Sequence, residues 1–431
     1  MTTDLHGPLS AYAERLHATI GDRHHVASPL GAWLLLALSA ATTGAGRATD
    51  SNTSDPDAAA GSEAATGADA AAEGLVAALG TDLAGAADLA RVLLDAPHPL
   101  VASATALWLR AGRPVDAPAG WRATLPAATE VGTLPDQAGL DAWAREHTDG
   151  LIETFPLKVS PDVVFALASA LATRISWAEP FDVADARALG PASAWTDLRH
   201  VLRSPGHGHQ GAIVATERAG DVIVHAARSQ ASEGAGLVVL SVAAAPHVPA
   251  ADVLATAYRL SAGAADGGRP AGRRSLFDLP LGDTPLWTLR EERVRTRARD
   301  GREERHQAIL PCWSARSDHD LTAESLGFPA AAVTLARALD QPVQGFEARQ
   351  VAMARYGRYG FEAAAVTGMF GTVSLPPEGV ARTAELRFGH PYAVVAVATD
   401  SRADGTTGPW HGVPVFSAWV TEPDDLPDAE R

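Results

Sequence analysis

Apolar residues at Leu9, Tyr12, Ala13, Leu16 and Ile20 recur at helical spacing, so the chain opens on an amphipathic helix. Residues 26–30 read as a short extended entry, with Ser28 placed to cap the next helix and Pro29 to occupy its first turn. That helix, about residues 31–43, is apolar nearly all round and is predicted to be buried. From 44 to 74 the pattern gives way to Ala, Gly, Ser, Thr and Asp, a polar insertion expected to be mobile. Helical periodicity returns over 75–94, and residues 103–109 read as a buried strand. Residues 140–151 read as a helix with Trp143 on its apolar face and Gly150 as its stop. The apolar run 163–177, broken by Arg174 and closed by Pro180, reads as a long central strand. Short strands follow at 212–216, 222–226, 237–242 and 294–298, with a helix at 250–260 and turns at 262–274. A helix near 321–326 and strands at 392–398 and 413–420 complete the pattern, which suggests antiparallel sheet without internal repeats.

With 431 residues, two domains or one large mixed fold are both open. The apolar fraction is an ordinary 46%, much of it alanine, which buries little area per residue. A net charge of −16 argues against a general nucleic-acid binder, and Lys158 is the single lysine, a coding bias rather than a function. The sole cysteine, Cys312, follows Pro311 in an apolar setting and reads as a buried, inert thiol. Asp4, Glu14 and Arg15 stand where a secretory leader needs apolar residues, which favours the cytoplasm, with another export route left open. The longest apolar run, 31–41, is too short to span a bilayer, so no membrane partner is expected.

The chemical motifs are weak. Gly206, Gly208 and Gly211 match the dinucleotide-binding spacing, but no strand enters the motif and a strand rather than a helix follows it. His200, His207 and His209 lack a supporting carboxylate or cysteine at ligand spacing, so no metal is assigned and no cofactor expected. Arg293, Arg295, Arg297 and Arg299 share one face of a strand among acidic neighbours, which reads as a solvated edge rather than a polyanion site. No nucleophile elbow, zinc-protease motif or phosphate loop is present, which favours a binding or inhibitory protein over an enzyme.

One stretch invites a different reading. Residues 357–368 run from a strand end into Ala363, Ala364 and Ala365, and 369–378 end in a proline pair. Such a segment is either a flexible surface loop or one that must change state, because alanines can slide between two strands without bulky groups to accommodate.

Seven ordered stretches resemble the serpin family. Ser28-Pro29-Leu30 is similar to its Ser-Pro-x-Ser entry, with Gly31 in place of the second serine. Trp143, Thr148, Gly150 and Ile152 match a family helix, and Arg174, Trp177, Pro180 and Phe181 the end of its long central strand. Asp320-Leu321 with Leu326-Gly327 resembles a later helix, and Gly360, Glu362 and Ala363 to Ala365 its loop hinge. Phe388, His390, Pro391 and Tyr392, then Phe416, Val420 and Pro423, match the closing strands.

The resemblance implies an α+β fold: a single domain over 1–431, with three mostly antiparallel sheets and about eight or nine helices. It implies an exposed reactive-centre loop at about 358–385. It further implies a monomeric, metastable suicide-substrate inhibitor of a serine, or cysteine, protease, whose cleaved loop inserts into the main sheet. The hinge would be Gly360, Phe361, Glu362, Ala363, Ala364 and Ala365, and the inward set Phe361, Ala363, Ala365, Thr367, Met369 and Gly371. Counting from the hinge puts the scissile bond at Ser374-Leu375; counting back from Pro391 puts it at Val380-Ala381, with Arg382 nearby to suit a trypsin-like protease. Ser28, Ser169, Trp177 and Gln350 would support the opening of the sheet. Ser169 and Gln350 stand where the family carries an Asn and a His, Arg358 and Tyr359 replace acidic hinge residues, and Phe361 replaces a Thr or Ser. The alternative is a non-inhibitory binding or carrier protein of the same fold.

Overall fold

The structure is a computed structural model, and it describes residues 5–42, 58–111, 125–160, 163, 165–339, 346–360, 377–402 and 404–430. Seven α-helices lie among these residues: α1 His6–Ile20, α2 Pro29–Ala41, α3 Ala58–Leu79, α4 Leu83–Leu94, α5 Gln137–His147, α6 Ala250–Ser261 and α7 Phe328–Ala338.

The helix starts follow local chemistry. The Ser28 hydroxyl accepts the Gly31 N–H at 3.2 Å with Pro29 in the first turn, and Asp82 and Asp136 cap α4 and α5 in the same way. Residues 58–74, read as part of a polar insertion, lie in α3: their alanine content favours helix, and Leu75, Ala78 and Leu79 fix its last turns in the core. The periodicity at 75–94 belongs to two helices, broken at Gly80, which takes φ +69°. Residues 43–57 lie outside the described residues.

Among the described residues the strands form two six-stranded sheets and two smaller ones. The first large sheet is antiparallel, in the order β1 (His25–Ala27), β17 (Pro414–Val420), β16 (Tyr392–Asp400), β9 (Ala235–Ala243), β8 (Gly220–Arg228) and β7 (Gln210–Thr216). The second runs β10 (Gly282–Asp283), β11 (Trp287–Arg295), β15 (Glu378–Arg387), β12 (Arg302–Leu310), β6 (His200–Arg203) and β5 (Asp182–Asp185), with β12 and β15 parallel. The apolar run expected as one strand over 163–177 is regular only over β4, Phe165–Ala172, which joins β2 (Ala102–Leu109) and β3 (Thr129–Thr133). Finally, β13 (Trp313–Asp320) pairs with β14 (Arg349–Tyr356). Helix α2 packs against β4 and β17, so its apolar all-round surface is buried from several sides at once.

Three histidines are buried where α1, β1, β13 and β17 meet. His17 Nδ1 lies 2.8 Å from His25 Nε2, and His17 Nε2 2.8 Å from the Ser417 hydroxyl. His25 Nδ1 lies 2.8 Å from the Arg23 carbonyl, and His319 Nε2 2.7 Å from that of Val26. Burial, then the neighbouring imidazoles, holds His17 well below its usual pKa; burial holds His25 to about 4 and lowers His319. The Arg23 carbonyl partly offsets the lowering of His25, to which His319 and the Arg23 and His24 charges add, and the Val26 carbonyl and Asp318 partly offset the lowering of His319.

Because all three are depressed in the folded state, their neutral forms favour folding above the unfolded value of about 6.5, and that stability is lost as pH falls from there towards 4. Thermal melts at successive pH values are expected to show the midpoint dropping across this window, with a shallower drop in His25→Gln. An unchanged slope in that variant would remove the cluster as the cause.

Candidate functional site

The site is the seam between β4 and β14. These strands belong to separate hydrogen-bonded sheets, and no ladder joins them among the described residues. Yet they face each other: residues 167–171 and 349–351 line one hollow, and Thr173, Ile175 and Trp177 line a second with residues 353–356. The order of these facing pairs means the two strands run in the same direction. A strand turning back from the end of β14 would be antiparallel to both and could bond to both.

The floor explains why the seam stays open. The Ser169 hydroxyl donates to the Gly31 carbonyl at 3.1 Å rather than across the seam. Gln350 clamps Ser28, accepting from its N–H at 2.9 Å and donating to its carbonyl at 2.8 Å. The Ser28 hydroxyl in turn donates to the Val415 carbonyl at 2.9 Å. Each wall is thus pinned to the start of α2 and not to the other wall. A Cβ at Gly31 would crowd only the capping Ser28 Oγ, at 3.3 Å, and would make ordinary contact with Ser169 Oγ and Gln350 Nε2 at 3.6 Å. The hollows measure about 60 and 100 Å³, room for a few small side chains but far below the roughly 300–1,000 Å³ of small-molecule pockets.

The head of the seam is closed. Trp177 is buried, donates from Nε1 to the Gly357 carbonyl at 2.9 Å, and packs 5.0 Å from Tyr356 and 6.0 Å from Phe181 by ring centroids. The Trp177 N–H donates to the Tyr359 carbonyl and that of Phe181 to the Arg358 carbonyl, each at 3.0 Å. Gly360 takes φ +84° and forms an antiparallel bridge with Ser176. A Cβ there would meet the Ile175 carbonyl oxygen at 2.3 Å, so close approach and backbone conformation both demand glycine.

Phe361, Glu362, Ala363, Ala364, Ala365, Ser374 and Leu375 lie outside the described residues. The described chain resumes at Pro377, and the alternative bond, Val380-Ala381, proves not to lie in a loop at all. It sits inside β15, paired with Glu292 and Arg293 of β11 on one side and Arg302 and Glu303 of β12 on the other, and Ala381 is fully buried. A peptide held on both edges cannot extend into a protease's groove, so this bond is excluded as the cleavage point. Arg382 is likewise engaged, by Glu291 and the carbonyls of Leu276 and Leu279. The expected loop, 358–385, therefore overlaps a strand from 378 onwards.

The other candidates resolve separately. The glycine motif at 206–211 lies in the β6–β7 turn and runs into β7. His207 lies 3.3 Å from Glu179, and His209 lies against the Glu179 carbonyl and His225. No group of three or more potential metal ligands gathers among the described residues. Burial pushes the Cys312 thiol up to about 12, with Glu430 and other nearby carboxylates adding to the effect. β11 ends at Arg295, so only Arg293 and Arg295 of the four arginines lie on a strand.

The chain is similar to solved structures over nearly its whole length. Human thyroxine-binding globulin complexed with thyroxine is similar over 98% of this chain and 99% of its own, with a TM-score of 0.59 at 13% identity. The fold is that of the serpins. A serpin of the insect Tenebrio molitor matches at a TM-score of 0.55 and 13% identity over 98% of both chains. An Arabidopsis serpin in its native stressed conformation gives 0.56 at 13% identity, over 98% of this chain and all of that one. No protein-family profile and no curated protein sequence matches the chain. No helix among the described residues is long and apolar enough to cross a membrane.

Gln350→Ala leaves the Ser28 N–H without its acceptor and the Ser28 carbonyl with only the Ala32 N–H, and is expected to cost about 1–3 kcal/mol of stability. Urea unfolding of the intact protein measures this. A cost near zero would show that the clamp does not hold β14 to the helix.

Proposed function

We propose that the protein is an endopeptidase inhibitor of the serine type, acting as a suicide substrate whose cleaved loop enters the seam between β4 and β14. The observation that carries this is the Gly360–Ser176 bridge at the head of two unladdered, co-directional strands. Continuing that antiparallel register, residue 361 would face Ile175, Thr367 would face Ser169 and Gly371 would face Phe165. Insertion would replace two open strand edges with two rows of ladder bonds and place Ala363, Ala365, Thr367, Met369 and Gly371 in the hollows. Small side chains suit hollows of this size. The covalent chemistry comes from the target: its serine attacks the loop, and insertion distorts the acyl-enzyme before water can hydrolyse it. Ser374-Leu375 is the scissile bond this reading favours, since Val380-Ala381 is occupied in β15.

A second reading, a non-inhibitory carrier or binding protein, is favoured by Phe361, the first inward residue. A large ring where small residues follow would overpack the head of the seam by about 1–3 kcal/mol and slow insertion.

Two measurements separate the readings. Incubation with a panel of serine proteases is expected to give an SDS-resistant complex with at least one of them. Nicking the loop should raise the melting temperature by about 10 °C or more as the seam fills. If every protease cuts the loop without capture and the nicked protein melts where the intact one does, the carrier reading stands instead.

A further inference from the structure

Arg358 stands where the family hinge is acidic, and its surroundings give that reversal a physical reason. The chain beyond β17 folds back as a strap. Asp424 donates its N–H to the Cys312 carbonyl at 2.8 Å and accepts from the Ser314 hydroxyl at 2.6 Å. Asp425 pairs with Arg199 at 2.8 Å, and Leu426 is buried in the core cluster that also holds Trp313. This anchored strap ends in a short turn, Asp428–Glu430, that delivers Glu430 to the head of the seam. The Glu430 carboxylate accepts the Arg358 N–H at 3.0 Å and pairs with the Arg355 guanidinium, and the Glu430 carbonyl accepts from Arg358 Nη1 at 3.0 Å. On its other side Arg358 donates from Nε to the Phe181 carbonyl at 3.1 Å, while the Phe181 N–H donates back to the Arg358 carbonyl. The Glu430 side chain is only 15% exposed, so these charge-assisted bonds are partly shielded from water. Gly357 leaves room for the carboxylate: a Cβ there would meet Glu430 Oε2 at 3.0 Å.

We propose that Glu430 is the positioning residue of the hinge. It locks Arg358 against Phe181 and so holds Gly360 on Ser176, in the register from which the loop enters the seam. The inference rests on the inhibitory reading for its consequence but not for its geometry. A hinge already fixed in its entry register has less conformational freedom to lose when insertion begins. The capture step races deacylation, so a loosened hinge would let more inhibitor be hydrolysed before the protease is trapped.

Glu430→Gln keeps the shape and removes the charge, Arg355→Met removes the guanidinium paired with that carboxylate, and the double variant tests whether the two act as one unit. Hydrogen exchange in the intact, uncleaved protein reads the geometry directly. The Trp177 and Phe181 amides, which donate to Tyr359 and Arg358, are expected to exchange at least about tenfold faster in each single variant. The double variant should be no faster than the faster single. Amides of β9 and β16 should be unchanged, which separates a local loosening from general destabilisation. Unchanged exchange at Trp177 and Phe181, exchange rising equally everywhere, or fold-changes that multiply in the double variant would each overturn the proposal. With a captured protease in hand, the moles of inhibitor consumed per complex formed should also rise in Glu430→Gln. A wild type that captures no protease defeats the inhibitory reading, while the exchange data still decide the role of Glu430.

Discussion

The arrangement depends on a set of hydrogen bonds that two neighbouring strands do not make with each other. β4 and β14 lie side by side and run the same way, but Ser169 and Gln350 spend their polar groups on Gly31 and Ser28 at the start of α2. Strand edges normally pair, because unpaired N–H and carbonyl groups are costly when shielded from water. Here a third element holds the two edges at a fixed distance, and the capped helix supplies the rigidity. The cap itself is shared, since Ser28 closes α2 with one contact and grips β17 through Val415 with another.

At the head of the seam the logic reverses. Trp177, Phe181 and Tyr356 pack closely, and backbone bonds tie residues 358–360 to the chain leaving β4. The seam is therefore clamped at one end and held apart along its length. The clamp draws on three separate parts of the chain: the exit of β4, the exit of β14, and the strap that brings Glu430.

The second six-stranded sheet shows why counting along a family pattern misplaced the alternative cleavage bond. β15 carries Glu378, Arg382, Glu385 and Arg387 among small residues, and so resembles a loop in composition. It is nonetheless a central strand, held between β11 and β12, and two of its four buried residues, Ala381 and Ala384 on opposite faces, are alanines that add little to the apolar pattern. β12 reads the same way: charged residues dominate its first half and burial is confined to Ala308, Ile309 and Leu310. Both strands are held by pairing with partners far away in the chain rather than by a strong apolar face of their own.

Local chemistry was legible in the residues alone: the Ser28-Pro29 helix start, the amphipathic α1, the buried α2, the Gly150 stop, the apolar β9, β16 and β17, and the glycine at position 360. Each follows from spacing, capping or backbone freedom within about one helical turn or one strand, and such information is carried by adjacent residues. The departures at Arg358 and Gly31 were visible too, as residues out of keeping with their surroundings. What they were for was decided only when the chain folded. Arg358 meets Glu430 across 72 positions, and Gln350 meets Ser28 across 322. The three buried histidines come from α1, β1 and β13. The seam is bounded by strands whose closeness no local periodicity encodes, because an open edge pair is a relation between distant segments and leaves no pattern in either.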